Sequence, residues 1–233
     1  MHDPFYDLFP APAEPVWCRG EVALVTIDMQ YMDAHPGGWM GRVARAQGKE
    51  RLLGQRYIAI ERVLPQIRSL QDAFRAAGEE VIHVRIAYRT ADGREAGRAH
   101  MPRPHEQEVS REPRDDQFLP QVAPQGDELI FSKTSSSVFS STDFERVLWN
   151  LGVRHLVFTG LVTDGCVELS ARDASDRGFR VTLIEDACCS STPEAHHDAI
   201  QRMTDGGFIV AKSTKQALAL LAARTEPELA EVP

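Results

Sequence analysis

Short apolar runs alternate with amphipathic stretches along most of the 233-residue chain. Residues 22–27 form a largely apolar run, which is typical of a strand buried on both faces of a sheet. Residues 60–74 instead carry apolar side chains three and four positions apart, which predicts an amphipathic helix. Because Pro65 lies inside that stretch, we expect the helix either to kink or to restart there with proline in its first turn.

The same pattern predicts a regular succession of strands and helices in the rest of the chain. The predicted strands are 80–86, 128–131, 155–159, 180–185 and 208–210, and the predicted helices are 143–151, 165–177, one opening at Pro193, and 213–223. Strands that alternate with helices pair in parallel through right-handed crossovers. The sequence therefore predicts an α/β fold, namely a three-layer α/β/α sandwich with a mostly parallel, Rossmann-like six-stranded sheet.

The length and the pattern together favour a single domain over residues 1–233. Within it we expect an N-terminal arm at 1–19, a long loop at 89–126 and a disordered tail at 225–233. The loop is rich in Arg, Glu, Asp, Pro and Gly. It is interpreted either as a solvated excursion or as a lid or oligomer contact.

Charge and cysteine content argue against several classes of protein. The formal net charge is −8, which offers nucleic acid no basic face. No apolar run approaches the ~18–20 residues of a membrane span. Residues 1–15 lack the basic and apolar regions of a secretory signal, so we expect a cytoplasmic protein without membrane association. The four cysteines form no C-x-x-C pair, which argues against a zinc ribbon and a thioredoxin-type site.

Three reactive side chains follow predicted strands, at the edge where parallel sheets bind their ligands. Asp28 follows the first strand, Lys133 the third, and Cys166 opens the helix after the fourth. An ammonium and a helix N-terminus both favour a thiolate, so we expect a lowered pKa for Cys166. Asp28 would then carry the proton from the thiol to a leaving nitrogen. The predicted chemistry is cleavage of an amide-like bond through a thioester.

The segments around these residues resemble the three signatures of the isochorismatase-like cysteine hydrolases. Residues 25–30 match D-x-Q, residues 133–139 match K-x-x-x-S-x-F, and residues 160–167 match G-x-x-T-x-x-C-V. The similarity extends over nearly the whole chain. It implies a catalytic triad of Asp28, Lys133 and Cys166.

The same resemblance implies a specialised turn before the nucleophile. A non-proline cis peptide is expected between Val162 and Thr163. The backbone of Val162, Thr163 and Cys166 is expected to form an oxyanion hole. The family resemblance also implies a homodimer or homotetramer that acts on a small molecule.

Differences among family members favour carbamoyl and ureido substrates. Nicotinamidases carry a metal site of one Asp and two His after the second strand, and residues 85–93 offer no such ligands, so we expect no metal and no cofactor. Asp33 and His35 are residues of the types that bind metal ions, but the sequence places no third ligand beside them. The segments that resemble ureidoacrylate or biuret amidohydrolases, enzymes grouped with N-carbamoylsarcosine amidohydrolase, are 36–39, 154–160, 175–178 and 203–207. Asp205 stands where the biuret enzymes bind substrate with glutamine, which argues against biuret itself.

Several further side chains are candidates for the substrate pocket. The residues predicted to bind substrate, with packing as the alternative for the aromatic ones, are Gln30, Tyr31, Trp39 and Phe139. Arg85 and Arg89 are weaker candidates for binding a substrate carboxylate. His196 and His197 are expected on the solvated face of a helix.

Three alternatives stay open on the sequence. An isochorismatase-type vinyl-ether hydrolase has the same fold but does not need Cys166. A phosphate-binding loop has the spacing of Gly160 and Gly165, yet Cys166 and Val167 replace its Lys and Ser/Thr. A non-catalytic, redox-sensing thiol on the same fold is the third.

Overall fold

A parallel β-sheet is the centre of the structure, a computed structural model that describes residues 4–8, 13–96 and 109–227. Its strands are β1 (Val22–Ile27), β2 (Glu80–Ile86), β3 (Ile130–Lys133), β4 (His155–Leu161), β5 (Arg180–Cys189) and β6 (Val210–Lys212). They lie in the order β3-β2-β1-β4-β5-β6, and every neighbouring pair is parallel. The predicted six-stranded Rossmann-like sheet is confirmed.

Helices cover both faces of this sheet. In the described residues they are α1 (Tyr31–Ala34), α2 (Trp39–Ala46), α3 (Gly54–Ala76), α4 (Phe144–Leu151), α5 (Glu168–Asp176), α6 (Pro193–Asp205) and α7 (Thr214–Ala222). Helices α3 and α7 pack on one face, and α4, α5 and α6 pack on the other. This is the predicted three-layer sandwich. None of these helices combines the length and the apolar character needed to cross a membrane.

The central strand β1 shows why the sheet is buried on both faces. Successive side chains of a strand point to opposite faces. Leu24 packs with the residues of α3 and α7, whereas Val25 packs with those of α4, α5 and α6, and neither side chain is exposed. Because burying such a side chain contributes roughly 1.5–3 kcal/mol, an apolar run is favoured over an alternating one at this position.

Element boundaries differ from the predictions mainly at the carboxyl ends of the strands. β3 lies two residues beyond the predicted 128–131, and β5 continues to Cys189. Residues Thr163–Val167, here called the β4–α5 turn, separate β4 from α5, so the helix predicted at 165–177 begins only at Glu168. Helices α1 and α2 were not predicted. The four residues of α1 are too few for a periodic signal, and α2 directly follows Pro36, Gly37 and Gly38, which are typical of a turn.

Helix α3 is one continuous helix of 23 residues with Pro65 in its interior, so the helix does not restart at the proline. Its buried side chains recur at helical spacing, as predicted for an amphipathic helix. They are Arg56, Ile60, Val63, Ile67, Leu70, Gln71 and Phe74. Arg56 is the charged member of this otherwise mainly apolar stripe, and it lies at the end of the helix nearest the carboxyl edge of β1.

The structure describes residues 89–96 and 109–126 of the long loop, and the second of these parts is held against the carboxyl edge of the sheet. The Gln30 side-chain amide donates to the Asp115 carbonyl oxygen at 2.9 Å, and the Trp39 backbone N–H donates to the Asp115 carboxylate at 2.9 Å. The Arg85 guanidinium donates to a further loop carbonyl at 2.9 Å. Residues 97–108 of the predicted loop lie outside the described residues.

The C-terminal segment pairs with the N-terminal arm. Cys18 and Thr225 form an isolated parallel bridge, and the Arg19 N–H donates to the Thr225 carbonyl at 2.9 Å. Trp17 next to them is buried in the core. The predicted disorder of 225–233 is therefore wrong at Thr225, because backbone hydrogen bonds hold it. Residues 228–233 lie outside the described residues.

Strand β4 passes β1 at a distance that only glycine permits. Gly160 has φ +109°, and a Cβ there would lie 2.1 Å from the Ile27 carbonyl oxygen. On its other side β4 shifts register against β5 between Phe158 and Gly160. Both features lie at the carboxyl edge, just before the residues that leave the sheet after β1 and β4.

Replacing Gly160 with alanine should lower the free energy of unfolding by about 3 kcal/mol or more, because the new Cβ meets the Ile27 carbonyl at an unfavourable φ. Gly152→Ala is the matched control, since its φ is +79° and a Cβ there meets no atom within 4 Å. It should cost about 1–2 kcal/mol. Urea unfolding followed by circular dichroism measures both. Equal losses would contradict the close approach of β4 to β1.

Candidate active site

Three side chains from different strands meet at the carboxyl edge of the sheet. Asp28 directly follows β1, Lys133 ends β3, and Cys166 lies in the β4–α5 turn. The Lys133 Nζ lies 2.8 Å from the Asp28 Oδ2 and 3.2 Å from the Cys166 Sγ. The structure thus brings together the carboxylate, the amine and the thiol that the sequence places at strand ends.

The backbone of Asp28 is left-handed, with φ +54°. Aspartate adopts this region more readily than most residues other than glycine. Its N–H donates to the Val84 carbonyl at 2.8 Å, and its own carbonyl accepts from the Gln30 N–H at 2.8 Å. These bonds hold the chain where it leaves β1, so they fix the backbone position from which the Asp28 side chain extends.

Lys133 is fully buried, yet its ammonium has an acceptor for each of its hydrogens. Besides Asp28 and Cys166, the Nζ lies 3.2 Å from the Ser135 carbonyl oxygen. An ammonium has three hydrogens to donate. Because a buried charge is tolerated only when it is paired and hydrogen bonded, these contacts explain how a lysine remains inside the protein.

Burial and charge together set the protonation of the three groups. Burial raises the pKa of the Cys166 thiol to about 12; the Asp28 carboxylate adds to the rise and Lys133 opposes it. Burial lowers the pKa of Lys133, but Asp28 and Cys166 outweigh it and the net direction is upward. Burial also raises the pKa of Asp28, and the Lys133 ammonium opposes that rise.

At neutral pH the arrangement that balances charge is an ammonium, a carboxylate and a neutral thiol. The lowered pKa expected for Cys166 from the sequence is wrong, because burial and the Asp28 charge together outweigh Lys133. The helix end is also farther away than expected, since α5 begins only at Glu168. Deprotonation of the thiol must therefore accompany its reaction.

The chain leaves β4 through a cis peptide between Leu161 and Val162. This is one bond earlier than the Val162–Thr163 bond expected from the family resemblance, and that expectation is corrected. Leu161 still pairs with Cys189 in the sheet, so the cis bond lies where this pairing ends and the chain turns out of the sheet.

Hydrogen bonds fix the β4–α5 turn. The Val162 carbonyl accepts from the N–H groups of Gly165 at 3.0 Å and Val167 at 3.2 Å. The Asp164 N–H donates to the Ser190 hydroxyl at 3.3 Å, and that hydroxyl donates back to the Asp164 carboxylate at 2.7 Å. Gly165 has non-helical torsions, φ −143° and ψ −106°, which interrupt the helix just before Cys166.

A cavity of about 810 Å³ opens over Cys166. Residues 134–137, one threonine and three serines, form one wall of it, which offers hydroxyl groups to a ligand. The side chains that add apolar surface to the lining include Met40, Ile86, Tyr88, Val162 and Leu169. The cavity therefore combines a thiol with both hydrogen-bonding and apolar walls, which suits a small polar organic molecule.

Two ion pairs also line this cavity. Arg56 donates to the Asp33 carboxylate at 2.5 Å and to the Ser191 hydroxyl at 3.1 Å. Arg172 donates to the Glu168 carboxylate at 3.0 Å. The Arg56–Asp33 pair is the more deeply buried of the two, so its charges are compensated inside the protein rather than by water.

Gln30 and Trp39 lie beside the cavity and do not line it. The Gln30 side chain donates to the carbonyls of Ile86 and Asp115, both at 2.9 Å, and accepts from the Ile86 N–H at 2.6 Å. The Trp39 indole N–H donates to the Val109 carbonyl at 2.8 Å. Gln30 and Trp39 were predicted to bind substrate, and the structure corrects this prediction. Their polar side-chain atoms are bound to backbone groups, so these two residues hold the loop instead.

Tyr31 and Phe139 do not line the cavity either. The Arg114 guanidinium lies 4.2 Å from the centre of the Tyr31 ring, and Phe139 packs edge to face on Phe144. Arg85 is bound to loop backbone and is not among the lining residues. The packing alternative is the correct interpretation for these aromatic residues.

The sequence reasoning missed the charged residues of the cavity wall. Arg56 had a usable signal, because a charged residue on the buried stripe of an amphipathic helix is informative. Glu168 and Arg172 also had a usable signal, because they lie four residues apart on one helix face, just after the nucleophile, and can form an ion pair.

The two ligand-type residues after β1 are engaged elsewhere. Asp33 pairs with Arg56, and the His35 Nδ1 accepts from the Gly37 N–H at 2.9 Å. Across residues 4–8, 13–96 and 109–227, no three His, Cys, Asp or Glu side chains converge as a metal site requires.

Comparisons with known proteins agree with this architecture. A family model described as Isochorismatase domain matches residues 22–215. The ureidoacrylate amidohydrolase RutB of Rhizobium rhizogenes (strain K84) is 29% identical over 214 residues, which cover 84% of this chain and 80% of that protein. A cysteine hydrolase from Pseudomonas syringae pv. phaseolicola 1448A has a similar structure, with a TM-score of 0.73 at 24% identity over 92% of this chain and 98% of that one. The N-carbamoylsarcosine amidase from Thermoplasma acidophilum gives a TM-score of 0.60 at 21% identity, over 83% and 96%.

The protonation of the site can be tested with Asp28→Asn, because asparagine tolerates the left-handed backbone. Removing the carboxylate charge should lower the pKa of Cys166 and speed its alkylation by iodoacetamide at pH 8 by about tenfold or more. Lys133→Met should slow alkylation, since it removes the cation. Mass spectrometry of the Cys166 peptide gives both rates, with Cys18 in the same chain as an internal standard. Slower alkylation of Cys166 in Asp28→Asn would contradict this account.

Proposed function

The chain belongs to the isochorismatase family, and on that premise we propose that it is a cysteine-dependent amidohydrolase. It cleaves a C–N bond of a small carbamoyl, ureido or primary amide substrate through a thioester. The observation that carries this proposal is the position of Lys133 Nζ, 2.8 Å from Asp28 and 3.2 Å from a thiol that faces the cavity.

In the first half of the proposed reaction the Cys166 sulfur attacks the carbonyl carbon of the substrate. Asp28 accepts the thiol proton as the C–S bond forms and the carbonyl oxygen becomes an oxyanion. The oxyanion then collapses, the C–N bond breaks, and Asp28 gives its proton to the leaving nitrogen. The enzyme is left as a thioester, and the nitrogen leaves as ammonia or an amine.

In the second half a water molecule attacks the thioester carbonyl. Asp28 accepts a proton from this water, the C–S bond breaks, and the thiolate regains the proton from Asp28. The acyl group leaves as an acid, and the starting charges are restored. One carboxylate thus serves as base and acid in turn, which suits its burial between the amine and the thiol.

Lys133 assists these proton transfers because its ammonium stabilises negative charge on either the carboxylate or the sulfur. Its ammonium contacts both the carboxylate and the sulfur, so the site keeps a balanced charge whether the proton is on Cys166 or on Asp28. A thiol whose pKa is raised stays neutral until a carbonyl arrives, which prevents an uncompensated buried anion.

The proposed oxyanion hole, for which the sequence offers the backbone of Val162, Thr163 and Cys166, uses the N–H groups of Val162 and Cys166, because both residues line the cavity whereas Thr163 is fully buried. Three other donors of this segment are committed elsewhere. Gly165 donates to Val162, as does the residue after Cys166, and Asp164 donates to a serine hydroxyl. Preorganised donors of this kind contribute roughly 2.7–4 kcal/mol each to transition-state stabilisation.

The substrate class rests on the relatives and on the cavity. One relative is named a ureidoacrylate amidohydrolase and a structural neighbour is named an N-carbamoylsarcosine amidase. The hydroxyl-bearing residues at 134–137 offer the donors and acceptors that a urea or amide group requires. Ammonia release from a panel of ureas, carbamoyl amino acids and simple primary amides identifies the substrate.

Cys166→Ala should abolish ammonia release, because the acyl group then has no nucleophile to join. Asp28→Asn and Lys133→Met should each lower kcat at least ~10²-fold, since residues that act as a unit lose most of their effect together. Steady-state assays on the best panel substrate measure this, with circular dichroism to check folding.

Cys18→Ser is the matched control for loss of a thiol. Cys18 is a free cysteine at the Thr225 bridge, away from the cavity lining, so this variant should keep full activity. Unchanged turnover in Cys166→Ala, or an equal loss in Cys18→Ser, would contradict the proposal.

Exhaustive dialysis against EDTA should leave turnover unchanged, because every proposed step uses only Asp28, Lys133, Cys166 and backbone groups. Activity that falls on chelation and returns with a divalent cation would contradict the proposed metal-free mechanism. A nicotinamidase assayed in parallel provides the positive control for chelation.

A further inference from the structure

We propose that His196 is a positioning residue that holds the oxyanion-forming turn through the hydroxyl of Thr163. The sequence predicted a solvated histidine, but the structure corrects this, since the His196 Nδ1 lies 2.8 Å from the Thr163 Oγ1. The inference rests on the proposed function, because it assigns a role in the same reaction. His197, the other predicted surface histidine, is exposed.

The contact with His196 gives the buried hydroxyl of Thr163 a hydrogen-bond partner. Thr163 is fully buried at the start of the β4–α5 turn. It follows Val162, the second residue of the cis peptide. A buried hydroxyl without a partner costs about 1–3 kcal/mol. A rotation of Thr163 that broke this bond would therefore be unfavourable, and the same bond restrains the adjoining backbone of Val162, whose N–H the oxyanion would need.

The second ring nitrogen fixes the tautomer of His196. The ring also interacts with the backbone of Glu185, whose carbonyl can only accept and so favours a proton on the ring nitrogen on that side. The nitrogen that faces Glu185 therefore carries the proton, and the Nδ1 is left to accept from the Thr163 hydroxyl. Burial, together with His197, lowers the pKa of His196, while Asp164 opposes this, so the ring is neutral at neutral pH.

Two local features place the ring in this position. Strand β5 pairs with β4 at Leu183 and again at Cys188, so Glu185 lies in the irregular stretch between the two paired parts. Helix α6 begins at Pro193 behind a Thr192 cap, which places His196 in its first turn. The histidine thus links β5, α6 and the β4–α5 turn.

The contact is separate from the other support of this turn. Ser190 binds the N–H and the carboxylate of Asp164, one residue farther along. His196 binds the side chain of Thr163, the residue next to Val162, whose N–H is a proposed oxyanion donor. Loss of the histidine should therefore affect the transition state more than the binding of the ground state.

A pair of substitutions separates the two polar contacts of His196, with Thr163 and with Glu185. In His196→Asn the Oδ1 occupies the place of Nδ1, so the acceptor for Thr163 remains. In His196→Gln the amide reaches toward Glu185, and the acceptor for Thr163 is lost. Each variant removes one of the two contacts, so a merely structural role predicts similar losses in both.

We expect kcat in His196→Gln to fall about tenfold or more with KM within about twofold, measured on the best substrate of the ureido and amide panel. His196→Asn should keep kcat within about threefold of the starting protein. Thr163→Val should match His196→Gln, and the double variant should be no worse than either, because both remove one interaction. His197→Gln, at the exposed neighbour, is the control and should be unchanged.

A substrate-independent measurement keeps this test distinct from that of the proposed function. Acetaldehyde adds reversibly to a thiol: the sulfur bonds to the carbonyl carbon, and the former carbonyl oxygen takes up the thiol proton and becomes the hydroxyl of a hemithioacetal. That oxygen occupies the oxyanion position. Protection of Cys166 from iodoacetamide gives its affinity. That affinity should fall about tenfold in His196→Gln and stay near the starting value in His196→Asn and His197→Gln.

The results of these measurements distinguish failure of the proposed function from failure of the inference about His196. If the starting protein turns over no panel substrate, the proposed function fails, and the acetaldehyde affinities alone decide the role of His196. Equal losses in His196→Gln and His196→Asn, additive losses in the double variant, or acetaldehyde protection that is absent or the same in all variants would overturn the inference.

Discussion

The buried ammonium of Lys133 is the interaction on which the rest of the site depends. A cation without solvent requires an anion within contact distance, so Asp28 must be ionised while Lys133 is charged. That carboxylate in turn keeps the thiol protonated, because a second buried anion would be uncompensated. The protonation of Cys166 therefore depends on the three groups together.

The order of the strands makes this contact possible. β1 is central, and β3 is separated from it by β2, so Lys133 reaches the end of β1 across the end of β2. The backbone of Ile86, the last residue of β2, is bound by Gln30. A neutral thiol in this enclosure is also a poor target for peroxide, since oxidation follows thiolate character. The raised pKa of Cys166 therefore disfavours the redox-sensing alternative.

The parts of the molecule that sequence could predict are those set by periodicity. The apolar run of β1 and the stripe of α3 have unambiguous patterns, and the residues after strand ends converge because parallel strands share an edge. The protonation of Cys166 could not be predicted, because it depends on burial in three dimensions. Nor could the positions of Gln30 and His196, since each binds backbone or side-chain atoms that lie far away in the chain.

Arg56 ties the substrate-facing wall to the stability of the fold. It stands on the buried stripe of α3, lines the cavity, and neutralises Asp33 inside the protein. Exchanging it for a side chain suited to another ligand would leave that carboxylate without a counterion in a dry environment. A change of specificity at this position therefore requires a paired change at Asp33, which restricts how evolution or an engineer can move this wall in single steps.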